Sequence, residues 1–168
     1  MKKRMLFLGI MMLVLVSCNN TISVTFNKDE FDTQKAAWQA SNVTKYSYVY
    51  YSVSDAYPSL YLNVDVSGDE ISVKEQGSNK QYTLSPEEYT IDSLFDDIWG
   101  LYHEYDGKKT PACDIYEYYD NIEVTYDKSN HIPTKIYAKA QVGNTHFFNN
   151  GVDGFSDYHV EVQNFQVK

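Results

Sequence analysis

The first apolar pattern in the chain is an unbroken run from Met5 to Val16, behind Lys2-Lys3-Arg4 and ahead of Ser17-Cys18. A stretch of this length falls short of the roughly 18 to 20 residues a spanning helix needs, and the basic head, apolar core and small residue in that order predict a secretory signal peptide. The pattern then turns helical. Phe31, Gln34, Lys35 and Trp38 recur at three- and four-residue spacing behind Asn27-Lys28-Asp29-Glu30, a capping-box-like start, which predicts a helix from Lys28 to Ala40 docked by Phe31 and Trp38. From Lys45 the period becomes two. Tyr46, Tyr48 and Tyr50 share one strand face and Ser47, Val49 and Tyr51 the other.

The next strand, SLYLNVDV, sets Leu60, Leu62, Val64 and Val66 against Tyr61, Asn63 and Asp65, one dry face and one wet. Ser67-Gly68-Asp69-Glu70 is a turn signal, so 60–76 is expected to form a hairpin. Gln76 to Pro86 is polar and is expected to be loop. Beyond it Ile91, Leu94, Phe95, Ile98, Trp99 and Tyr102 form the stripe of a second helix, with Thr90 as its cap and Asp92 in its first turn. Ile122, Val124 and Tyr126 alternate again, Asp127 to Asn130 turns the chain, and Lys135 to Val142 returns. Gly143 to Ser156 is expected to be a surface loop. The last strand begins at Tyr158, and the slip between Val162 and Phe165 predicts a bulge.

The expected fold is therefore α+β, an antiparallel sheet with two helices packed on one face. The order suggests two α-β-β-β halves, VDVSGDEISV lining up loosely with VTYDKSNHIPTKI, although any α+β chain with hairpins has some self-similarity of this kind. The plan resembles the small helix-plus-sheet folds of PepSY-like and β-lactamase-inhibitor-like exported proteins, an analogy of fold alone.

Leu15-Val16-Ser17-Cys18 departs from the usual Ala-x-Ala cleavage triplet and resembles the bacterial lipobox. That resemblance implies a diacylglyceryl group on the Cys18 thiol and cleavage just before it. The expected organisation is a signal peptide over 1–17, a lipid-anchored leash over 18–26 and one domain over 27–168, in a bacterial cell envelope. One lipid chain holds weakly and two or three hold stably. The formal charge of −9 becomes −12 once Lys2, Lys3 and Arg4 leave with the leader. Such a field makes nucleic acid a poor partner, because backbone binding depends on Lys and Arg neutralising phosphates. With Cys18 acylated, Cys113 has no second cysteine for an internal disulfide.

Trp38, Tyr46-Ser47-Tyr48, Val64-Asp65-Val66 before Gly68, the stretch YTIDSLFDDI from Tyr89 to Ile98, Val124-Thr125-Tyr126-Asp127, Ile132-Pro133 and the tail from Asp157 to Phe165 together resemble a domain-of-unknown-function family of bacterial lipoproteins. Members often carry a close cysteine pair after the Tyr-x-Tyr strand, where this chain has YYSVSDAYP, so the resemblance implies no redox or metal role there. The family implies no activity.

No zinc-protease, serine-hydrolase or phosphate-loop motif is present. His103, His131, His146 and His159 are dispersed, and no metal or other cofactor is expected. The segment 149–157 is rich in oxygen donors, but Val160 stands where an EF-hand needs a bidentate Glu. The compositional oddity is tyrosine, at 16 residues. A row of Tyr46, Tyr48 and Tyr50, with Tyr61 joining if it shares the face, can stack on sugars or grip an extended peptide. The expected role is a non-catalytic module binding peptide, protein or glycan. The rival is an envelope enzyme using acidic groups of the second helix, such as Asp92 and Asp96.

Overall fold

The computed structural model describes residues 21–53, 59–77, 85–109, 116–143 and 156–168. Among them the chain forms β1 (Thr25–Phe26), α1 (Lys28–Ser41), β2 (Lys45–Val53), β3 (Leu60–Ser67), β4 (Glu70–Glu75), a 3-10 turn (Pro86–Tyr89), α2 (Ile91–Tyr105), β5 (Tyr116–Asp127), β6 (Ile132–Gly143) and β7 (Tyr158–Val167). The strands make one sheet in the order β1-β5-β6-β7-β2-β3-β4. After β1 the element order is α-β-β-β twice, and the pairing of β7 with β2 joins the two triplets of strands.

Both helices start as their sequences dictate. The Asn27 side-chain oxygen caps the helix by accepting from the Glu30 amide at 3.3 Å, and its side-chain amide donates to the Glu30 carboxylate at 3.0 Å, a side-chain variant of the expected capping box. The Thr90 hydroxyl takes the Ser93 amide at 3.0 Å. Phe31 and Trp38 of α1 and Ile91, Leu94, Phe95 and Ile98 of α2 are buried in one core with alternate residues of the sheet, among them Leu62, Val64, Ile136 and Val160. Gln34, also buried, meets the ring Nδ1 of His131 at 2.9 Å and so ties α1 to the β5–β6 turn.

The expected bulge lies on β7. Its pairing with β2 runs from Val49↔Gln163 to Ser47↔Gln166, three steps on β7 against two on β2. Asn164 takes up the extra residue at φ 55°, in the left-handed region. Without that residue Phe165 would face away from the core; with it, the ring lies 5.6 Å from Tyr46 and 6.2 Å from Trp38.

Three expectations need correction. The sheet is mixed, because β1 runs parallel to β5 through Thr25↔Asn121 and Phe26↔Ile122. The segment read as part of a leash is docked from Thr21 onward: Thr21 bridges Lys109, Ile22 and Lys108 bond through their main chains, and Val24 is buried. The cause is an apolar alternation, Ile22, Val24 and Phe26, too short to stand out beside the long leader run. The stretch expected to be loop up to Pro86 also ends in the 3-10 turn, which leads into α2.

Candidate functional site

Strand β2 has two faces, and the packing of its neighbours decides which is wet. Its register with β3 sets Tyr46 beside Val66, Tyr48 beside Val64 and Tyr50 beside Leu62, so the three tyrosines share the dry face of the hairpin. Tyr46 and Tyr48 are each 3% exposed, and Tyr50 is half-buried against the same core. These residues therefore form no surface row. Their hydroxyls hold the entry to α2: Tyr46 Oη accepts the Ile91 amide at 3.1 Å, one of the helix's orphan N–H groups, and Tyr48 Oη donates to the Tyr89 carbonyl. The ring of Tyr50 meets Tyr89 edge to face at 5.0 Å. Burial pushes the Tyr46, Tyr48 and Tyr50 hydroxyls up, so all three stay protonated.

Tyr61 falls on the opposite, open face. It is 42% exposed and stacks on Tyr51, its cross-strand partner, with ring centroids 4.3 Å apart. A hydrogen bond with Tyr51 holds the Tyr61 hydroxyl above its ordinary range. His159 of β7 lies edge-on to Tyr51 at 6.5 Å and to Tyr137 of β6 at 6.3 Å. Tyr61, Tyr51, His159 and Tyr137 thus form an aromatic strip across β3, β2, β7 and β6. Alternation alone had already put Tyr51 on the face opposite Tyr46, Tyr48 and Tyr50. What would have chosen between the faces is the register with LYLNV, whose leucines and valines line up with the other tyrosines.

The polar groups around the β6–β7 part of this strip bond to one another. His159 Nε2 is 3.1 Å from Glu161, and the Gln163 amide donates to Glu161 at 2.9 Å. The Gln163 amide first, and then His159, hold the Glu161 carboxyl below its usual range. Asp157 accepts the Ala140 amide at 2.8 Å and the Tyr137 hydroxyl, clamping the start of β7 to β6. Over the other part of the face, where β7, β2, β3 and β4 lie side by side, there is a groove of about 480 Å³.

The acidic residues of α2 take separate roles. Asp92 accepts the Trp38 indole N–H at 3.2 Å, and Asp96 pairs with Lys35 at 2.8 Å. Asp97 borders a second pocket of about 490 Å³ with Tyr50, Tyr89 and Tyr158, and desolvation raises its carboxyl. Among the described residues no helix is long and apolar enough to cross a membrane. Cys18, Cys113, His146 and 149–155 of the oxygen-rich segment lie outside the described residues.

These features define a class, a small α+β domain on a seven-stranded mixed sheet whose open face carries an aromatic strip and a polar groove. The chain belongs to DUF6174, a family of unknown function whose model matches residues 30–142. The match runs from α1 into β6, so β7, with His159 and the bulge at Asn164, lies beyond it. No curated protein and no solved structure matches the chain.

Proposed function

We propose that this protein is a non-catalytic binding module, tethered in a bacterial cell envelope by lipid on Cys18, which presents the open face of its sheet to a peptide, protein or glycan. The observation that carries the binding role is the strip of Tyr61, Tyr51, His159 and Tyr137 on that face. Aromatic rings held by a rigid sheet give a large contact area at little entropic cost, with hydroxyls to fix orientation. The domain of this reading is the one over 27–168, extended at its start by the docked residues from Thr21. Only Asn19 and Asn20 then separate Cys18 from the fold, which keeps the domain close to the membrane surface.

Two measurements test the two halves of the reading. Labelled palmitate is expected to enter the wild-type chain and not Cys18→Ser; equal labelling of both removes the tether. For the binding half, the full chain in detergent is used to capture material from its own envelope extract. The double variant Tyr51→Ser/Tyr61→Ser is expected to keep its Tm within a few degrees and to lose what the wild type retains. Capture unchanged in that variant removes the strip from the binding role.

A further inference from the structure

The two parts of the open face differ in how far their polar side chains bond to one another. Over β5 to β7 several polar side chains bond to one another, Glu161 to His159 and Gln163, and Asn121 to Glu123. Over the groove most do not. Ser47, Asn63, Ser72, Asn164 and Gln166 line it, and none has a side-chain hydrogen-bond partner among the described residues. They come from four strands, yet the register brings them together: Ser47 lies beside both Asp65 and Gln166, and Asp65 beside Ser72.

We propose that this groove, together with the Tyr51–Tyr61 pair two residues beyond Val49 and Asn63 on the same two strands, is a binding site for an uncharged oligosaccharide; the inference rests on the open face being the binding surface. Its lining is chemically suited to a polyol. Asparagine and glutamine amides and serine hydroxyls each donate and accept, which a chain of sugar hydroxyls needs and a purely acidic or basic lining cannot supply. The groove is also close to neutral in a chain of formal charge −9: Asp65 is paired with Lys168, and Lys74 stands beside Asn63. Beyond Val49 and Asn63, the stacked Tyr51 and Tyr61 on the same two strands offer an aromatic surface to the apolar face of a sugar ring. From Ser47 to Tyr51 the strip covers about 13 Å at ~3.3 Å per residue, room for several linked rings.

The same face is poorly suited to the other two ligand classes. Among the described residues the exposed large hydrophobics are only Tyr61 and Val167, so the buried apolar anchors on which protein interfaces depend are lacking. An extended peptide adding to the sheet would pair at the free edge of β4, whereas the floor of the groove is formed by β7, β2 and β3, each paired on both sides. The bulge on β7 also shapes the groove. It turns Asn164 into the left-handed region while returning Phe165 to the core, and bulges commonly serve to re-aim one side chain at a functional surface.

The test is calorimetric titration of the full chain, in a sugar-free detergent, with neutral hexasaccharides of glucose, xylose, mannose and N-acetylglucosamine and with an acidic oligouronate as control. At least one neutral hexasaccharide is expected to bind and the oligouronate to bind at least tenfold more weakly. Asn164→Gly, which removes the amide and suits the positive φ, is expected to weaken sugar binding at least tenfold with Tm unchanged, and Tyr51→Ser to do likewise. The proposal is overturned if none of the four neutral sugars binds, if the oligouronate binds best, or if both variants bind as the wild type does. Should envelope capture still depend on Tyr51 and Tyr61 in that event, the binding face stands and only its ligand class is wrong. If capture is independent of them as well, both readings fall together.

Discussion

Phe95→Ala is expected to destabilise the domain by about 3 to 5 kcal/mol, the range for deleting a fully buried aromatic ring. The side chain is completely buried, and it packs edge-on to Phe31 of α1 at 5.8 Å and stacks on Tyr126 of β5 at 6.3 Å. One ring therefore links both helices to the sheet, and its neighbours cannot collapse into the space without moving an element. Trp38→Ala belongs in the same range, since it also removes the indole N–H that Asp92 accepts and the edge contact on Tyr46 at 5.5 Å. Chemical denaturation measures both. A loss below roughly 1 kcal/mol would place the residue at a site able to relax, contrary to its burial.

The tyrosines of β2 give the second large effect. Tyr48→Ser is expected to cost about as much as a large core truncation, roughly 3 to 5 kcal/mol, because the ring is buried and its hydroxyl holds the Tyr89 carbonyl. Replacing only the hydroxyl separates the two contributions. Tyr46→Phe leaves the Ile91 amide buried without its acceptor, an expected loss of about 1 to 3 kcal/mol, while the ring stacking on Tyr48 at 6.3 Å is kept. Tyr51→Ser, on the other face of the same strand, is expected to change stability far less. Equal losses for Tyr48→Ser and Tyr51→Ser in thermal melts would contradict the division of β2 into a core face and an open face.

Most of the elements were legible because each rests on a local signal. The α1 start follows from Asn27 and Glu30 three residues apart, the β3–β4 hairpin from the turn at Gly68, and the β7 bulge from the odd spacing of Val162 and Phe165. The candidate site was less legible. Tyr61 joins the row of Tyr46, Tyr48 and Tyr50 only if it shares their face, and the register with β2 puts it on the opposite one. His159 and Tyr137 were not singled out for binding. They stand in different strands, β6 and β7, and only the pairing Tyr137↔His159 brings them together.

Period-two alternation by itself determined that Tyr46, Tyr48 and Tyr50 share a face and that Tyr51 lies across from them, since successive side chains of a strand must point to opposite sides. It likewise determined the caps and apolar stripes of both helices, which depend on residues within one or two turns of each other. Alternation is symmetric, however, and carries no label for which side meets the core. That choice was made by tertiary contacts: Leu62 and Val64 from β3, the hydrogen bonds to Tyr89 and Ile91 at the start of α2, and the pairing of β7 with β2. The open face, its aromatic strip and its groove exist only once strands distant in sequence are set side by side, because a hydroxyl or an amide in one strand says nothing about the residue that will stand next to it in another.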